Sequence, residues 1–216
     1  MAGVGVHRGL AGASLVLARL LLPPSMVLDE LVSGRLVGVV GEASRLLGEG
    51  VCAGLGEALE RVGVELAGLS DGGRLEEYRV EYTRVLLTDY EGVSCPPYES
   101  VYVFRVRPRQ IAMLPVVDRL RSFYSLLGLE LGGEPPLTED HGAVELEFLA
   151  ALHEALADAE GEVLVEGDGV RRRFVREHLA KWVPRFASCL KKNTRDPLLL
   201  ALAGALDALV ECESRL

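Results

Sequence analysis

The sequence predicts an all-α protein that folds as a single-domain multi-helix bundle over residues 1–216. Apolar residues recur mostly at helical spacing in long stretches rich in Leu, Ala, Glu and Arg, and no convincing run of alternating β-branched residues interrupts them. The chain has 216 residues and 49% hydrophobic content, which is within the range of a single domain that can bury a core.

The apolar spacing predicts helices at residues 9–22, 26–33, 35–47, 50–67, 74–88, 109–127, 139–159, 170–191 and 196–213. Pro23 and Pro24 end the first helix, because proline lacks the N–H donor and clashes with the preceding turn. This apolar run resembles a signal peptide, but Arg19 interrupts it and no small-residue cleavage site follows. We expect it to be too short and too charged to span a bilayer. The short β-like run at residues 163–165 lies among glycines, so a loop between two helices explains it at least as well.

Charge is distributed unevenly along the chain. The net charge of −9 disfavours a nucleic-acid surface and favours a cationic partner. Residues 134–168 contain eleven acidic side chains and no Lys or Arg, whereas residues 171–195 contain nine basic side chains and one acid. We interpret most of this charge as two antiparallel helices that partly neutralise each other on a solvated surface.

The four cysteines, Cys52, Cys95, Cys189 and Cys212, lie far apart and form no CxxC motif or Cys/His cluster. Their spacing predicts neither a zinc site nor a disulfide framework, and a reducing compartment is the simplest interpretation.

The first motif is a loop segment that runs from Cys95 to Tyr102. Pro96 and Pro97 stiffen the chain in an extended form, and Tyr98 and Tyr102 offer flat amphipathic surfaces to a peptide or to another helix. The same residues are equally compatible with a loop that is simply fastened over the bundle.

The second motif lies at the start of the predicted helix 139–159. The Thr138 hydroxyl suits a helix cap, and Glu139 and Asp140 complement the positive end of the helix dipole, which is the favoured role of Asp140 taken alone. His141 precedes Glu145 by one turn, so a helix places the two side chains together. Such a pair is more typical of a structural hydrogen bond than of a metal site, which needs further donors.

Two aromatic residues with conspicuous spacing are predicted to be core residues. Phe148 belongs to an apolar stripe with i, i+4 spacing, and Trp182 belongs to a second stripe in the last long segment. Packing is therefore the favoured role of both.

Catalytic signatures are missing from the sequence. It contains no GxSxG, HExxH or GxxxxGK[ST] pattern, and no GxGxxG pattern follows a strand. We therefore expect a protein that is not an enzyme and that uses no cofactor of its own.

Four stretches resemble, in the same order, the landmarks of the TorD/DmsD/NarJ-like chaperones that mature molybdoenzymes. These stretches are residues 82–87, 96–102, 139–149 and 178–186. The chain departs from the usual pattern in two places. Pro-Asp-His is replaced by Glu139-Asp140-His141, and the aromatic-glycine pair that often follows the prolines is replaced by Tyr98-Glu99. Both departures bear on which client the chaperone serves.

The resemblance implies a cytoplasmic helical chaperone. Its partner would be the apo form of a molybdopterin oxidoreductase catalytic subunit, bound through its twin-arginine leader or N-terminal region until the cofactor is inserted. A leader with two guanidinium groups and an apolar segment calls for carboxylates and an apolar groove. The candidates are Glu99, Glu139, Asp140 and Glu145 for the arginines, Tyr98 and Tyr102 for the apolar part, and His141 for ordering the helix start or contacting the peptide with a charge that responds to pH.

Two other functions remain open at this stage. One is a helical enzyme or nucleotide-binding regulator with a site around His141 and its neighbouring acids. The other is a permanent subunit of a larger complex, which would expose a large apolar patch. The sequence also leaves open a homodimer formed by exchange of helices.

Overall fold

The computed structural model describes residues 3–70, 72–87, 95–104, 115–132 and 137–216, and within these residues the chain is α-helical with no strand. The helices are α1 (Val4–Leu21), α2 (Leu28–Val32), α3 (Arg35–Leu47), α4 (Ala53–Gly68), α5 (Gly72–Tyr82), α6 (Glu99–Val103), α7 (Pro115–Ser125), α8 (Gly142–Ala157), α9 (Gly161–Phe174), α10 (Ala180–Asn193) and α11 (Pro197–Arg215). A short 3₁₀ turn, Gly50–Cys52, precedes α4, and single π-helical turns follow α5 at Thr83–Leu87 and α9 at Val175–Leu179. The predicted helix at residues 109–127 is described only from Pro115. Residues 88–94, 105–114 and 133–136 lie outside the described ranges.

Helix α1 forms the centre of the bundle. It packs along α8 and α3, while α4 packs between α3 and α11, and α10 packs on α11 and α6. Leu10, Leu17 and Leu21 of α1 are fully buried. Gly9 allows α1 to approach α3 closely, because a Cβ atom at this position would lie 2.7 Å from the Cγ atom of Leu47.

The N-terminal helix is longer than predicted. It begins at Val4 rather than at residue 9, and by length and composition alone its 18 residues would suffice to cross a membrane. The expectation that it is too short to span a bilayer is therefore wrong. However, 61% of the helix is buried inside the bundle, which is the pattern of a core helix.

Residues 163–165 form part of a helix rather than a loop. Helix α9 begins at Gly161, whose φ of 58° favours glycine, and it includes Val163 and Val165 with exposures of 68% and 59%. Together with the π-helical turn and α10 it makes a nearly continuous helical segment, in place of the shorter helix predicted at residues 170–191. Exposed β-branched residues on a helix produced the misleading strand-like pattern.

The charged side chains pair with different partners from those that the sequence predicted. Of the acids on α8, Glu147 pairs with Arg19 of α1 at 2.7 Å. Asp168 pairs with Arg171 and Arg172 within its own helix. Among the described residues, no ion pair joins α8 to the basic stretch 171–195.

The cysteines form two disulfides, which overturns the prediction of unpaired thiols. Cys52 is bonded to Cys212, and Cys95 is bonded to Cys189, with Cα–Cα distances of 4.9 Å and 5.7 Å. The partners are 160 and 94 residues apart, so no local motif revealed them. The first bond ties the start of α4 to the end of α11, and the second ties the first motif to α10.

A buried polar cluster joins four helices away from the two motifs. His7 of α1 and His153 of α8 share a hydrogen bond between their Nδ1 atoms (2.9 Å), and His153 Nε2 lies 2.6 Å from Glu213 of α11. Arg171 of α9 donates to the other carboxylate oxygen of Glu213 at 2.6 Å. Burial raises the pKa of Glu213, but His153 and Arg171 outweigh burial, so the pKa is lowered overall. We name these residues the helix clamp.

The disulfides should be detectable chemically. We expect no free thiol in protein unfolded without a reductant, and four after reduction, by thiol titration. Replacing Cys52 and Cys212 together by Ala should lower the free energy of unfolding by about 2–5 kcal/mol, because the cross-link restricts the unfolded chain. Four titratable thiols in oxidised protein would contradict the pairing.

The helix clamp should make the fold sensitive to acid through His7. Burial first, and then the charge of His153, lowers the pKa of His7 from 6.5 to about 4. The unfolded chain therefore binds a proton that the folded chain does not. The contribution of His7 to the free energy of unfolding is fully present above pH 6.5. It is lost as the pH drops towards about 4, by up to about 1.4 kcal/mol per pH unit.

Urea unfolding at several pH values measures this slope. His7→Gln keeps a polar group beside His153 but does not titrate, so its stability should fall less steeply between pH 6.5 and 4. An identical pH dependence in the two proteins would contradict the assignment.

Candidate functional site

The two sequence motifs lie side by side in the structure. Tyr98 forms an isolated antiparallel bridge with His141, and their rings meet edge to face with centroids 4.8 Å apart. The Glu99 N–H donates to the Asp140 carbonyl oxygen at 2.9 Å, and the Gly142 N–H donates to the Pro97 carbonyl oxygen at 2.8 Å. We call this contact between residues 97–100 and 140–142 the motif junction.

Asp140 holds the motif junction together through its side chain. It is completely buried and accepts hydrogen bonds from the Ser100 hydroxyl (2.6 Å), the Ser100 N–H (3.3 Å) and the Thr138 hydroxyl (2.7 Å). A buried carboxylate needs such donors, because its charge is otherwise costly. All three donors come from the motifs themselves.

Helix α8 starts later than predicted. It begins at Gly142, and His141 is its cap, with Nδ1 accepting from the Ala143 N–H at 3.1 Å. Thr138 bonds to Asp140 instead of capping the helix. Gly142 is required at this first position, because a Cβ atom there would lie 2.7 Å from the Trp182 ring.

His141 does not play the electrostatic role considered from the sequence. Its ring is 4% exposed, and burial lowers its pKa to about 4, so it is neutral near pH 7. Its hydrogen bond goes to Ala143 rather than to Glu145. The arrangement therefore gives no support to a charge switch at His141, nor to an enzyme built around it.

Glu99 connects the junction to the turn that precedes α10. Its side chain is 2% exposed, and Oε2 lies 2.7 Å from the Nδ1 atom of His178. The other ring nitrogen of His178, Nε2, is buried and has no hydrogen-bond partner among the described residues. Phe123 and Phe174 pack against the same ring, each with a centroid distance of 5.4 Å.

Among the described residues, Glu145 is a buried carboxylate without a cation partner. It is completely buried, and Oε2 accepts from the Trp182 indole N–H at 3.1 Å, while Oε1 has no hydrogen-bond partner in this part of the chain. Burial raises the pKa of Glu145 well above its usual range, and the nearby charges of Glu99 and Asp140 add to this rise. Glu145 therefore keeps its proton to a higher pH than an ordinary glutamate does.

The aromatic residues of the site support these contacts. Trp182 is completely buried, as predicted, and Phe148 is 2% exposed, so both are core residues. The sequence did not indicate that Trp182 also donates to Glu145. Tyr102 stacks on Trp182 with a centroid distance of 6.0 Å, and its hydroxyl is buried without a partner.

Glu139 forms the accessible edge of the site. Its side chain is 13% exposed and pairs with Arg121, whose Nε donates to it at 3.0 Å. The Tyr124 hydroxyl donates to the Glu139 carbonyl oxygen at 2.6 Å. Of the seven residues predicted for peptide binding, Glu139, Tyr98 and Tyr102 are partly exposed, whereas Glu99, Asp140, His141 and Glu145 are buried.

Two residues at the site were not predicted as functional partners. Ser100 holds Asp140, and His178 holds Glu99. His178 and Trp182 are four residues apart, and this spacing is a sequence signal for a shared helical face. Within the described residues no group of three or more His, Cys, Asp or Glu side chains is arranged to hold a metal ion.

Comparisons with known proteins agree with this architecture. The family model described as nitrate reductase delta subunit matches residues 49–188. The fold is similar to the crystal structure of an Archaeoglobus fulgidus protein described as a candidate redox enzyme maturation protein. The similarity has a TM-score of 0.54, covers 92% of this chain and 91% of that chain, and has 23% sequence identity. The search of curated proteins returned no match.

The family match covers more than half of the chain and includes both segments of the motif junction. The structural similarity independently gives the same all-helical fold. The chain therefore belongs to the nitrate reductase delta subunit family, the NarJ/TorD-like chaperones of redox enzyme maturation.

Proposed function

We propose that this chaperone binds the twin-arginine leader or N-terminal region of an apo molybdopterin oxidoreductase subunit at the motif junction. Binding holds the client while its cofactor is inserted, before export or assembly. The proposed contacts are Glu99, Glu139, Asp140 and Glu145 for the guanidinium groups, Tyr98 and Tyr102 for the apolar part, and His141 for the local backbone.

The buried carboxylate of Glu145 is the observation that carries the proposal. Glu213 in the helix clamp is just as inaccessible, yet it has Arg171 and His153 as partners. Within the described ranges, the partner of Glu145 is an indole N–H. A guanidinium from a ligand would supply the missing charge, and arginine suits a buried carboxylate because its planar fork can donate two parallel hydrogen bonds.

Two further polar atoms in the same network support a ligand. Among the described residues, Tyr102 Oη and His178 Nε2 are buried without partners, as is Glu145 Oε1. Buried polar atoms are nearly always hydrogen-bonded in folded proteins, and three of the seven exceptions in the described part of the chain belong to this network. A peptide bound beside these atoms offers donors and acceptors to all three.

Access to Glu145 requires a local movement. The junction covers the buried carboxylates with α6, a helix of five residues. Glu139 lies at the surface and its Arg121 partner is 62% exposed, so an arriving arginine can first compete for this exposed ion pair. The leader then binds in two steps, at Glu139 and next at the buried acids.

We propose a cytoplasmic location, because a leader must be bound before its enzyme is exported. The two disulfides argue against the ordinary reducing cytoplasm expected from the sequence. Intracellular disulfides are frequent in hyperthermophilic archaea and bacteria, and Cys52, Cys95 and Cys212 are buried here.

Titration calorimetry with a synthetic twin-arginine leader tests the proposal. We expect saturable binding that weakens when both arginines are replaced by lysine, since lysine cannot donate bidentately. Glu145→Gln should weaken binding by about 10- to 150-fold, because a hydrogen bond to a charged group contributes about 1.5–3 kcal/mol. Adding Asp140→Asn should weaken it further.

The matched control is Glu154→Gln, which removes an exposed acid from the same helix. It should leave the affinity unchanged. If the leader binds normally to the Asp140→Asn, Glu145→Gln double variant, the assigned site is wrong. If no leader binds to the wild-type protein, the proposed function is wrong.

Leader binding should also release a proton. The pKa of Glu145 is raised in the free protein, and a bound guanidinium favours its charged form, so the affinity should rise with pH by up to about tenfold per unit while the pH is below that pKa. Calorimetry in phosphate and in Tris, whose ionisation enthalpies differ, counts the protons released. We expect a smaller release in Glu145→Gln, and an equal release in both proteins would exclude Glu145 as the source.

A further inference from the structure

The segment that follows α7 exposes three leucines within six residues. Leu126, Leu129 and Leu131 have exposures of 56%, 41% and 41%. Single exposed apolar residues are common on protein surfaces, but a cluster of large ones indicates a binding surface. This cluster is not part of the motif junction.

A cleft lies between this segment and α8. Its volume is 210 Å³, and its apolar lining consists mainly of Tyr124, Leu129, Leu131, Leu137, Val144 and Phe148. Pockets that enclose a whole drug-sized ligand measure roughly 300–1,000 Å³. The size therefore suits one or two apolar side chains of a peptide better than a complete small molecule.

The cleft is continuous with the motif junction. The Tyr124 hydroxyl donates to the Glu139 carbonyl oxygen, and the Tyr124 and Phe148 rings lie 5.2 Å apart. On α8, Val144 lines the cleft and is followed directly by the buried carboxylate of Glu145. A peptide bound at Glu139 can extend into the cleft.

The charge at the rim of the cleft is negative. Glu130 is exposed and has no ion-pair partner within the described part of the chain. Glu147 is 43% exposed and is bonded to Arg19. None of the described residues that line the cleft is Lys or Arg. An occupant with an apolar stretch next to positive charge complements this surface.

We propose that the cleft binds one or two apolar side chains from the leader segment that follows the two arginines. The inference rests on the proposed function and deepens it, because it adds a surface outside the motif junction for the apolar part of the peptide. The motif junction then recognises the guanidinium groups, and the cleft adds affinity by removing apolar surface from water.

The test compares two leaders and two double variants by titration calorimetry. One leader is intact, and the other keeps its arginines but has serines in place of its apolar residues. Leu129→Ser with Leu131→Ser removes the apolar rim, while Val163→Ser with Val165→Ser is the matched control on the exposed face of α9. All four replaced residues are exposed, so circular dichroism and melting should show a folded protein in both variants.

We expect the leucine variant to bind the intact leader at least about tenfold more weakly than the wild type does. It should bind the serine-substituted leader with wild-type affinity, and the valine variant should match the wild type for both peptides. Equal binding of the intact leader by the wild type and the leucine variant would overturn the cleft proposal but leave the proposed function standing.

Two other outcomes also overturn the inference. If the wild-type protein binds neither leader, the proposed function fails and the cleft proposal fails with it. If the leucine variant becomes monomeric in sedimentation where the wild type is a dimer, the cleft is occupied by a second copy of the chain.

Discussion

Burial of the Asp140 carboxylate is the constraint on which the motif junction depends. A fully buried carboxylate must be surrounded by donors, and Ser100 and Thr138 provide them. These donors belong to segments that are distant in sequence, so satisfying one side chain brings the segments together. The backbone contacts of the junction and the position of Glu99 beside His178 follow from that arrangement.

Two of the buried carboxylate networks in the described part of the chain have opposite electrostatic balance. In the helix clamp, Glu213 is matched by Arg171 and His153, and the cluster connects α1, α8, α9 and α11. Around Glu145 the charges of Glu99 and Asp140 add to the cost of burying the carboxylate. A buried acid that is paired with cations is typical of a structural role, whereas one without a cation is unfavourable for stability, which is consistent with the proposed binding site. The family membership agrees with these two roles, because a chaperone needs both a stable fold and a surface that binds its partner.

The sequence was sufficient for the fold class and for locating the motifs, but not for the contacts between them. Helical periodicity is local, so the all-α bundle and the buried positions of Phe148 and Trp182 were predictable. Contacts between distant residues are not encoded by any local period. The two disulfides and the helix clamp join residues separated by 42 to 160 positions, and no spacing rule identifies them.

The start of α8 illustrates the same limit at shorter range. Thr138 has the chemistry of a helix cap, yet its hydroxyl bonds to Asp140 because that buried carboxylate needs the donor more. The helix therefore begins at Gly142, and the predicted pairing of His141 with Glu145 does not form. The local sequence predicted the helix itself correctly but placed its first turn wrongly, because long-range hydrogen bonds determine where the helix begins.

The nested arrangement of the disulfides has a topological consequence. The bond from Cys52 to Cys212 closes a covalent ring that contains the bond from Cys95 to Cys189. A single peptide-bond cleavage at any point between residues 52 and 212 would leave both fragments in one covalently connected molecule. The segment from Cys52 to Cys212 can thus lose backbone continuity without losing its attachment to the rest of the bundle.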